Sequence, residues 1–249
     1  MEGKDIRLQR LIRNKKIFCV PLDHGITTDN IGNLIYFEKT FNDIVHEGIT
    51  SVILHKGMLR YINSIPSNIG IIIHLSASTN MNCEVKKILV CSVREAISLG
   101  ADAVSIHINF SNKYEKDMLK DFALISNECK KYGIPLIAMV YIRNDNNEDI
   151  STPQATKHAI RIATELGADI VKIKFNKTWN IKVLYDIVET TPLPIIVAGG
   201  DLYPTESELI QNTKNMLASG IVGISYGRNI FMAENPKKIV RELSDIINN

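Results

Sequence analysis

Short apolar runs recur along the chain and alternate with longer segments that carry the spacing of amphipathic helices. Eight runs are rich in Ile and Val and show no strict alternation of apolar and polar residues, which is typical of parallel strands buried on both faces. These predicted strands are Ile17–Leu22, Ser51–Leu54, Ile71–Leu75, Ala103–Ile108, Leu136–Tyr141, Ile170–Lys174, Ile195–Ala198 and Val222–Ser225.

The segments between these runs predict helices. Leu34–Glu47 places its apolar residues at helical spacing, and Thr152–Leu166 begins with the helix-start signals Thr152 and Pro153. Further helices are predicted at Lys116–Lys131, Glu206–Ser219 and Pro236–Ile247. Glycine is favoured in the turn after a helix, and five glycines stand at such points: Gly48, Gly100, Gly133, Gly167 and Gly220.

Eight strands joined mostly by helices predict an α/β fold, a single (β/α)8 TIM barrel that forms one domain over residues 1–249. A doubly wound open sheet is the alternative. No G-x-G-x-x-G motif follows the first strand, which disfavours a dinucleotide-binding version of that sheet. The connection Lys56–Gly70 carries no clear helix and is the weakest point of the barrel prediction.

Composition narrows the class of partner. The net charge of +2, from 29 basic and 27 acidic residues, gives no electrostatic argument for a nucleic acid or a membrane surface. No apolar run reaches the ~18 residues of a membrane helix, and the first residues form no signal peptide. The cysteines make no C-x-x-C pair, so we expect a cytoplasmic protein with reduced thiols; they are Cys19, Cys83, Cys91 and Cys129.

Polar residues stand at the end of every predicted strand, where the reactive groups of a barrel enzyme lie. They include the four histidines His24, His55, His74 and His107. These histidines suggest a metal-dependent aldol or hydrolase site, but no H-x-H or H-E-x-x-H spacing supports it. We therefore predict a site without metal or cofactor.

Lys172 is the sharpest candidate, because it lies inside the apolar strand DIVKIKF. A lysine in that setting is costly unless it is used or paired. Alternation puts Lys172 and Lys174 on one face, where a neighbouring ammonium and a low dielectric would depress a lysine pKa. A neutral amine could then attack a carbonyl and form a Schiff base. The alternative is a structural ion pair, for example with Asp23.

Two further residues could transfer protons. Asp23 ends the first strand and can reach across a narrow barrel towards the sixth, either to pair with Lys172 or to act as an acid or base. Its alternative role is a structural salt bridge or a loop cap. Tyr141 ends the fifth strand, next to that of Lys172, and could exchange a proton with an alkoxide; otherwise it is a packing residue.

Two glycine-containing loops predict a phosphate site. VAGG places Gly199 and Gly200 after the seventh strand, and SYGRN places Gly227 and Arg228 after the eighth. Barrels commonly bind phosphate on these two loops through backbone N–H groups, and Arg228 adds a forked donor. Simple tight turns are the alternative. The other candidate binding residues are His24 and Lys174.

Motifs over nearly the whole chain resemble the archaeal-type class I aldolases. They are VPLDHG, LHKGML, HLSAST, GADAVSIHIN, GIPLIAMVYIR, LGADIVKIKF, VAGG and YGRNIF, in that order. They are most similar to the 2-amino-3,7-dideoxy-D-threo-hept-6-ulosonate synthases, a subgroup that joins aspartate semialdehyde to a three-carbon unit from a deoxyketohexose phosphate for an alternative aromatic pathway. The resemblance implies a homo-oligomeric ring, often a decamer.

The same resemblance implies roles for individual residues. Lys172 would form the Schiff base and Asp23 and Tyr141 would be the acid/base pair. The phosphate contacts would fall on Gly199, Gly200, Gly227 and Arg228.

Three loops depart from the family pattern and bear on the substrate. Where the family has Pro-Arg-Gly, Tyr-Thr-Gly and a proline, this chain has Ile142-Arg143-Asn144, Phe175-Asn176-Lys177 and Asp201. These changes reshape the acceptor pocket more than the lysine chemistry. Fructose-1,6-bisphosphate aldolase, which needs a second phosphate site, and a non-catalytic phosphosugar-binding protein stay open as alternatives.

Overall fold

The computed structural model of the chain describes residues 3–81, 84–176 and 178–248. These residues form a closed barrel of eight parallel strands, in which each strand pairs with its neighbours in the chain and β1 pairs with β8. The strands are β1 (Ile17–Pro21), β2 (Ser51–Leu54), β3 (Gly70–His74), β4 (Ala103–Phe110), β5 (Leu136–Ile142), β6 (Ile170–Lys174), β7 (Ile195–Ala198) and β8 (Gly223–Ser225). The barrel prediction is confirmed, and the open sheet is excluded. Cys83 and Lys177 lie outside the described residues.

The helices of the described residues surround this barrel. They are α1 (Gly3–Leu11), α2 (Phe37–Val45), α3 (Val93–Ser98), α4 (Glu115–Tyr132), α5 (Pro153–Glu165), α6 (Ile181–Glu189), α7 (Glu206–Ala218), α8 (Arg228–Phe231) and α9 (Pro236–Asn248). The five predicted helices are present, although the first predicted one begins as a 3-10 turn at Gly32–Tyr36. Within the described ranges, no helix combines the length and apolar character needed to cross a membrane.

Four helices and one hairpin were not predicted. The helices α1, α3, α6 and α8 span nine, six, nine and four residues, too few turns for a clear helical period. Between β2 and β3 the chain forms a 3-10 helix at Lys56–Tyr61 in place of an α-helix. Ser76–Ala77 and Ile88–Leu89 pair antiparallel as a small hairpin beyond the end of β3.

The strands are buried on both faces, which explains their apolar composition. One set of alternate residues packs against the helices, and the other fills the barrel with a separate inner cluster. Leu11 of α1 belongs to the inner cluster and is 1% exposed. A Cβ atom on Gly70 would lie 2.4 Å from Leu11 Cδ2, so glycine leaves room for α1 to close the floor of the barrel.

The repeated Gly-Ala-Asp motif has a structural role at this floor. The Asp102 carboxylate accepts a 2.9 Å hydrogen bond from an N–H of β3 and lies 2.7 Å from Arg10. The Asp169 carboxylate accepts a 2.8 Å bond from an N–H of β5 and lies 3.0 Å from Lys4. Both copies therefore fasten α1 under the barrel, at the end opposite the predicted site.

Candidate active site

Strand alternation carries the polar candidates into the barrel mouth. Ile137 and Ile170 belong to the inner cluster, and residues two apart on a strand share a face. Tyr141 on β5 therefore faces inward above Ile137, and Lys172 on β6 faces inward above Ile170. The sequence period thus fixes which side chains line the site.

Lys172 lies where two connected compartments meet. The imidazole compartment has a volume of about 390 Å³ and is lined by Asp23, His55, His74, Ser76 and Lys87 with other residues. The glycine compartment has a volume of about 330 Å³ and is lined by Gly199, Gly200, Gly227 and other residues. The residues common to both linings are His24, His107, Tyr141, Lys172 and Arg228. All nine sequence-predicted site residues therefore converge on one mouth.

Lys172 is buried, with 6% of its surface exposed, and forms no ion pair with a carboxylate of the described residues. The predicted alternative, a structural pair with Asp23, is not formed. Lys174 instead pairs with Asp149, with 2.9 Å between Nζ and Oδ2. Because Lys174 is held by that carboxylate, Lys172 is the amine left to face a ligand between the compartments.

Asp23 remains ionised despite its burial. Burial opposes the charge, but His74, His24 and Lys172 together hold the pKa of this carboxyl below its ordinary value. Burial also lowers the pKa of His74 to about 3, so that ring is neutral near pH 7. Asp23 Oδ1 lies 3.4 Å from His24 Nδ1.

The inner histidines are held by hydrogen bonds. His74 Nδ1 lies 2.8 Å from Ser105 Oγ, and His107 Nε2 lies 2.9 Å from Asn109 Oδ1. Asn109 Nδ2 donates to the Val85 carbonyl at 2.7 Å, so Asn109 Oδ1 must accept and His107 Nε2 carries the proton. Within the described part of the chain, no three His, Cys, Asp or Glu side chains are placed to hold a metal ion.

Tyr141 is fixed by its neighbours at the boundary of the two compartments. Its ring stacks on His107, with 4.6 Å between ring centroids. The Arg143 guanidinium lies 6.0 Å from the centroid of the Tyr141 ring. A ring held in this way stays in the mouth that Lys172 lines.

The loop after β7 is shaped by glycine and tied to the loop after β8. Gly200 has a φ of 63°, a left-handed conformation that favours glycine. Asn229 Nδ2 donates to the Gly199 carbonyl at 3.2 Å, and Asn229 Oδ1 accepts from the Tyr203 N–H at 3.0 Å. Asn229 is the last residue of the SYGRN motif, but sequence analysis assigned it no role.

Gly227 lets His24 pack against the loop after β8. A Cβ atom at Gly227 would lie 2.5 Å from His24 Cε1, so only glycine fits beneath this ring without displacing it. Arg228 follows at the start of α8 and is 44% exposed, with its Nη2 atom 3.5 Å from Asp201 Oδ1. Because this ion pair is long and both of its side chains are exposed, the guanidinium of Arg228 can turn towards an anion.

Lys87 is a lining residue that sequence analysis did not single out. It precedes the hairpin strand Ile88–Leu89 and reaches the imidazole compartment. Two adjacent lysines before a two-residue strand show no usable period, so the pattern could not indicate which of them faces the cavity. The fold places Lys87 inward and pairs Lys86 with Asp117 at 2.6 Å.

Acid should destabilise the fold through the buried His74. The folded pKa of His74 is about 3, and the unfolded pKa is about 6.5. Between these values the unfolded chain binds a proton that the folded chain does not, so the stabilisation is complete above about pH 6.5 and is lost as the pH falls below it. From pH 7.5 to 5.5 we expect His74 to lower the free energy of unfolding by about 1 kcal/mol, measured by urea denaturation.

Replacing His74 by glutamine should make this pH dependence shallower. The matched control is His158→Gln, because His158 is exposed on α5, and this variant should keep the wild-type slope. Equal slopes for wild type and His74→Gln would refute a neutral, buried ring at this position.

Comparison with known proteins places this site in a family. Residues 17–233 match the DeoC/LacD family of aldolases. The chain is 37% identical to 2-amino-3,7-dideoxy-D-threo-hept-6-ulosonate synthase 1 of Archaeoglobus fulgidus, covering 99% of this chain and 92% of that protein. It is 33% identical to 2-amino-4,5-dihydroxy-6-oxo-7-(phosphonooxy)heptanoate synthase of Streptomyces griseus, covering 99% and 91%.

A solved structure supports the same assignment. An archaeal fructose-1,6-bisphosphate aldolase, whose catalytic Lys is covalently bound to the carbinolamine intermediate, superimposes with a TM-score of 0.86 at 25% identity, covering 99% of this chain and 100% of that one. The predicted resemblance is thereby confirmed. The chain belongs to the DeoC/LacD family of aldolases and is a Schiff-base, class I enzyme.

Proposed function

We propose that the chain is an aldolase or transaldolase in which Lys172 forms the imine with a phosphorylated ketose. One observation carries the proposal: Lys172 is buried, unpaired among the described carboxylates, and lies at the meeting point of the two compartments. A buried amine in that position is costly unless a ligand uses it. The non-catalytic alternative leaves this burial unexplained.

The proposed reaction uses the groups that line this mouth. Lys172 Nζ adds to the ketone carbon, and loss of water gives an iminium ion. A base removes the proton of the hydroxyl on the β carbon, the second carbon from the iminium carbon. The bond between the α and β carbons then breaks, the β carbon leaves as the carbonyl carbon of an aldehyde, and the electrons of the broken bond move towards the iminium and form an enamine. The enamine then attacks an aldehyde, whose oxygen takes up a proton, and water releases the product from Lys172. Tyr141 and Asp23 line the same mouth as Lys172 and are the groups that we propose for these proton transfers.

The glycine compartment is the proposed phosphate site. Backbone N–H groups of Gly200 and Gly227 and the guanidinium of Arg228 suit phosphate oxygens. Gly199 lines the compartment, but its N–H donates to the Ser225 carbonyl at 3.2 Å and is not a phosphate donor. An anchored phosphate would fix the ketone carbon beside Lys172 and so remove most of the orientational cost of the reaction. His24 and Lys174 complete the lining of this compartment.

We propose aspartate semialdehyde as the acceptor. The names of the two similar synthases describe seven-carbon products that share a 2-amino acid end. A three-carbon enamine added to a four-carbon amino-acid aldehyde has that carbon count. Fructose-1,6-bisphosphate aldolase is the second candidate, because the chain is also 31% identical to the class 1 enzyme of Thermoproteus tenax over 80% of its length.

Substrate comparison should separate the two candidates. With a deoxyketohexose phosphate and aspartate semialdehyde, we expect a seven-carbon amino acid by mass spectrometry, with kcat/KM at least about tenfold above that for cleavage of fructose 1,6-bisphosphate. The reverse order would establish the bisphosphate aldolase. Turnover that EDTA abolishes, with no borohydride-stable adduct, would favour metal-dependent chemistry. The oligomeric ring and the cytoplasmic location stay predictions.

A further inference from the structure

Lys87 is a cation that faces the imidazole compartment without a carboxylate partner among the described residues. Its Nζ atom donates to Ser78 Oγ at 2.5 Å. Burial and the nearby Arg143 lower the pKa of Lys87 to about 8. Other lysines at the rim are paired, Lys56 with Glu95 at 2.9 Å and Lys174 with Asp149 at 2.9 Å. An ammonium that is partly buried at a cavity wall and has no carboxylate partner is costly unless an anion binds there.

Hydroxyl groups line the same compartment as Lys87. Ser76 and Thr28 both line it. Ser76 Oγ already accepts a 2.9 Å hydrogen bond from the His107 N–H, and Thr28 Oγ1 accepts one from the Asn30 N–H at 3.2 Å. Since each hydroxyl oxygen is used as an acceptor, its O–H remains to donate to a ligand. An ammonium and O–H donors that line one compartment are a suitable setting for a carboxylate.

We propose that Lys87 binds the carboxylate of the aldehyde acceptor, so that the imidazole compartment selects an acidic aldehyde. This inference rests on the proposed function, which places the donor phosphate in the glycine compartment on the other side of Lys172. Each compartment would then bind one anion: Gly200, Gly227 and Arg228 bind the phosphate, and Lys87 binds the carboxylate.

A carboxylate fits the imidazole compartment better than a second phosphate does. The glycine compartment offers backbone N–H groups as well as a guanidinium, which suits a doubly charged phosphate. In the imidazole compartment the lysine that is not shared with the glycine compartment is Lys87, which offers a single ammonium. Arg143 Nη1 is already hydrogen-bonded to the Asn147 carbonyl at 2.7 Å. The ionised Asp23 also lines this compartment and would repel a larger anionic charge.

The test is Lys87→Met, which keeps a long unbranched side chain and removes the charge. We expect KM for aspartate semialdehyde to rise about 10- to 100-fold, the usual effect of losing a charge-assisted hydrogen bond, with kcat changed less than threefold. Lys86→Met is the matched control, because Lys86 is paired with Asp117, and it should leave KM unchanged. Lys87→Arg should restore most of the affinity.

Two further measurements separate this inference from the proposed function. Calorimetric binding of L-homoserine, the alcohol analogue of aspartate semialdehyde, needs no chemistry at Lys172 and should weaken at least tenfold in Lys87→Met. Trapping of a ketose phosphate alone tests Lys172 and should be unchanged in this variant. Absence of trapping in the wild type would therefore defeat the proposed function, while homoserine binding would still decide the role of Lys87.

Three outcomes would overturn the inference. The first is unchanged KM and unchanged homoserine binding in Lys87→Met. The second is an equal loss of kcat/KM for aspartate semialdehyde and for the uncharged propionaldehyde, which would make Lys87 a structural or catalytic residue. The third is a larger loss for glyceraldehyde 3-phosphate than for aspartate semialdehyde, which would make this end a second phosphate site.

Discussion

Borohydride should fix a ketose phosphate covalently to the wild-type enzyme, and Lys172→Ala should lose both this adduct and activity. We expect kcat/KM to fall by at least about 10³-fold, because no other group supplies the covalent step. The expectation rests on position: Lys172 is 6% exposed, faces both compartments and has no carboxylate partner among the described residues. Peptide mapping by mass spectrometry should locate the adduct on Lys172.

Lys174→Ala is the matched control for this prediction. Lys174 is two residues away on the same strand and the same face, but Asp149 holds its ammonium at 2.9 Å. The variant should keep the adduct on Lys172 and lose less than about tenfold in kcat/KM, the usual scale for one polar contact. An adduct that survives Lys172→Ala, or that maps to Lys174 in the wild type, would show that the nucleophile has been misassigned.

The barrel could be predicted from sequence because parallel strands buried on both faces leave a strong signal. The apolar runs end within two residues of β1 to β8, and glycines mark the preceding helix ends. Helix α1, which was not predicted, shows what the sequence pattern misses. Helix α1 has few apolar residues, and its position depends on Arg10 and Lys4 reaching Asp102 and Asp169, contacts between residues far apart in the chain that no local pattern records.

Some residues of the candidate site could likewise be predicted from sequence, and others could not. Lys172 and Tyr141 could be predicted because a polar residue inside an apolar strand is costly, and strand period assigns its face. Lys87 and Asn229 could not, since their roles depend on where a hairpin and two loops fold. The ion pair of Lys174 with Asp149 was also missed, because it joins the loop after β5 to the end of β6.

Tyr141→Phe should block carbon–carbon cleavage while leaving the imine intact. The variant keeps the ring that stacks on His107 at 4.6 Å and removes only the hydroxyl. Because the pKa of Asp23 is held below its ordinary value, its carboxylate is a weak base, and most of the proton transfer is left to Tyr141. We expect kcat to fall about 10²- to 10⁴-fold, the range for a lost general acid or base.

The mass of the trapped adduct distinguishes this role from a structural one. In Tyr141→Phe, borohydride should fix the whole ketose phosphate on Lys172, because the imine forms but the chain of the sugar is not cleaved. Tyr185→Phe is the control, since Tyr185 is 52% exposed on α6, and it should behave as wild type. If Tyr141→Phe cleaves its sugar at the wild-type rate, the phenol is a packing group, and the proton must travel through Asp23 despite the weak basicity of that carboxylate.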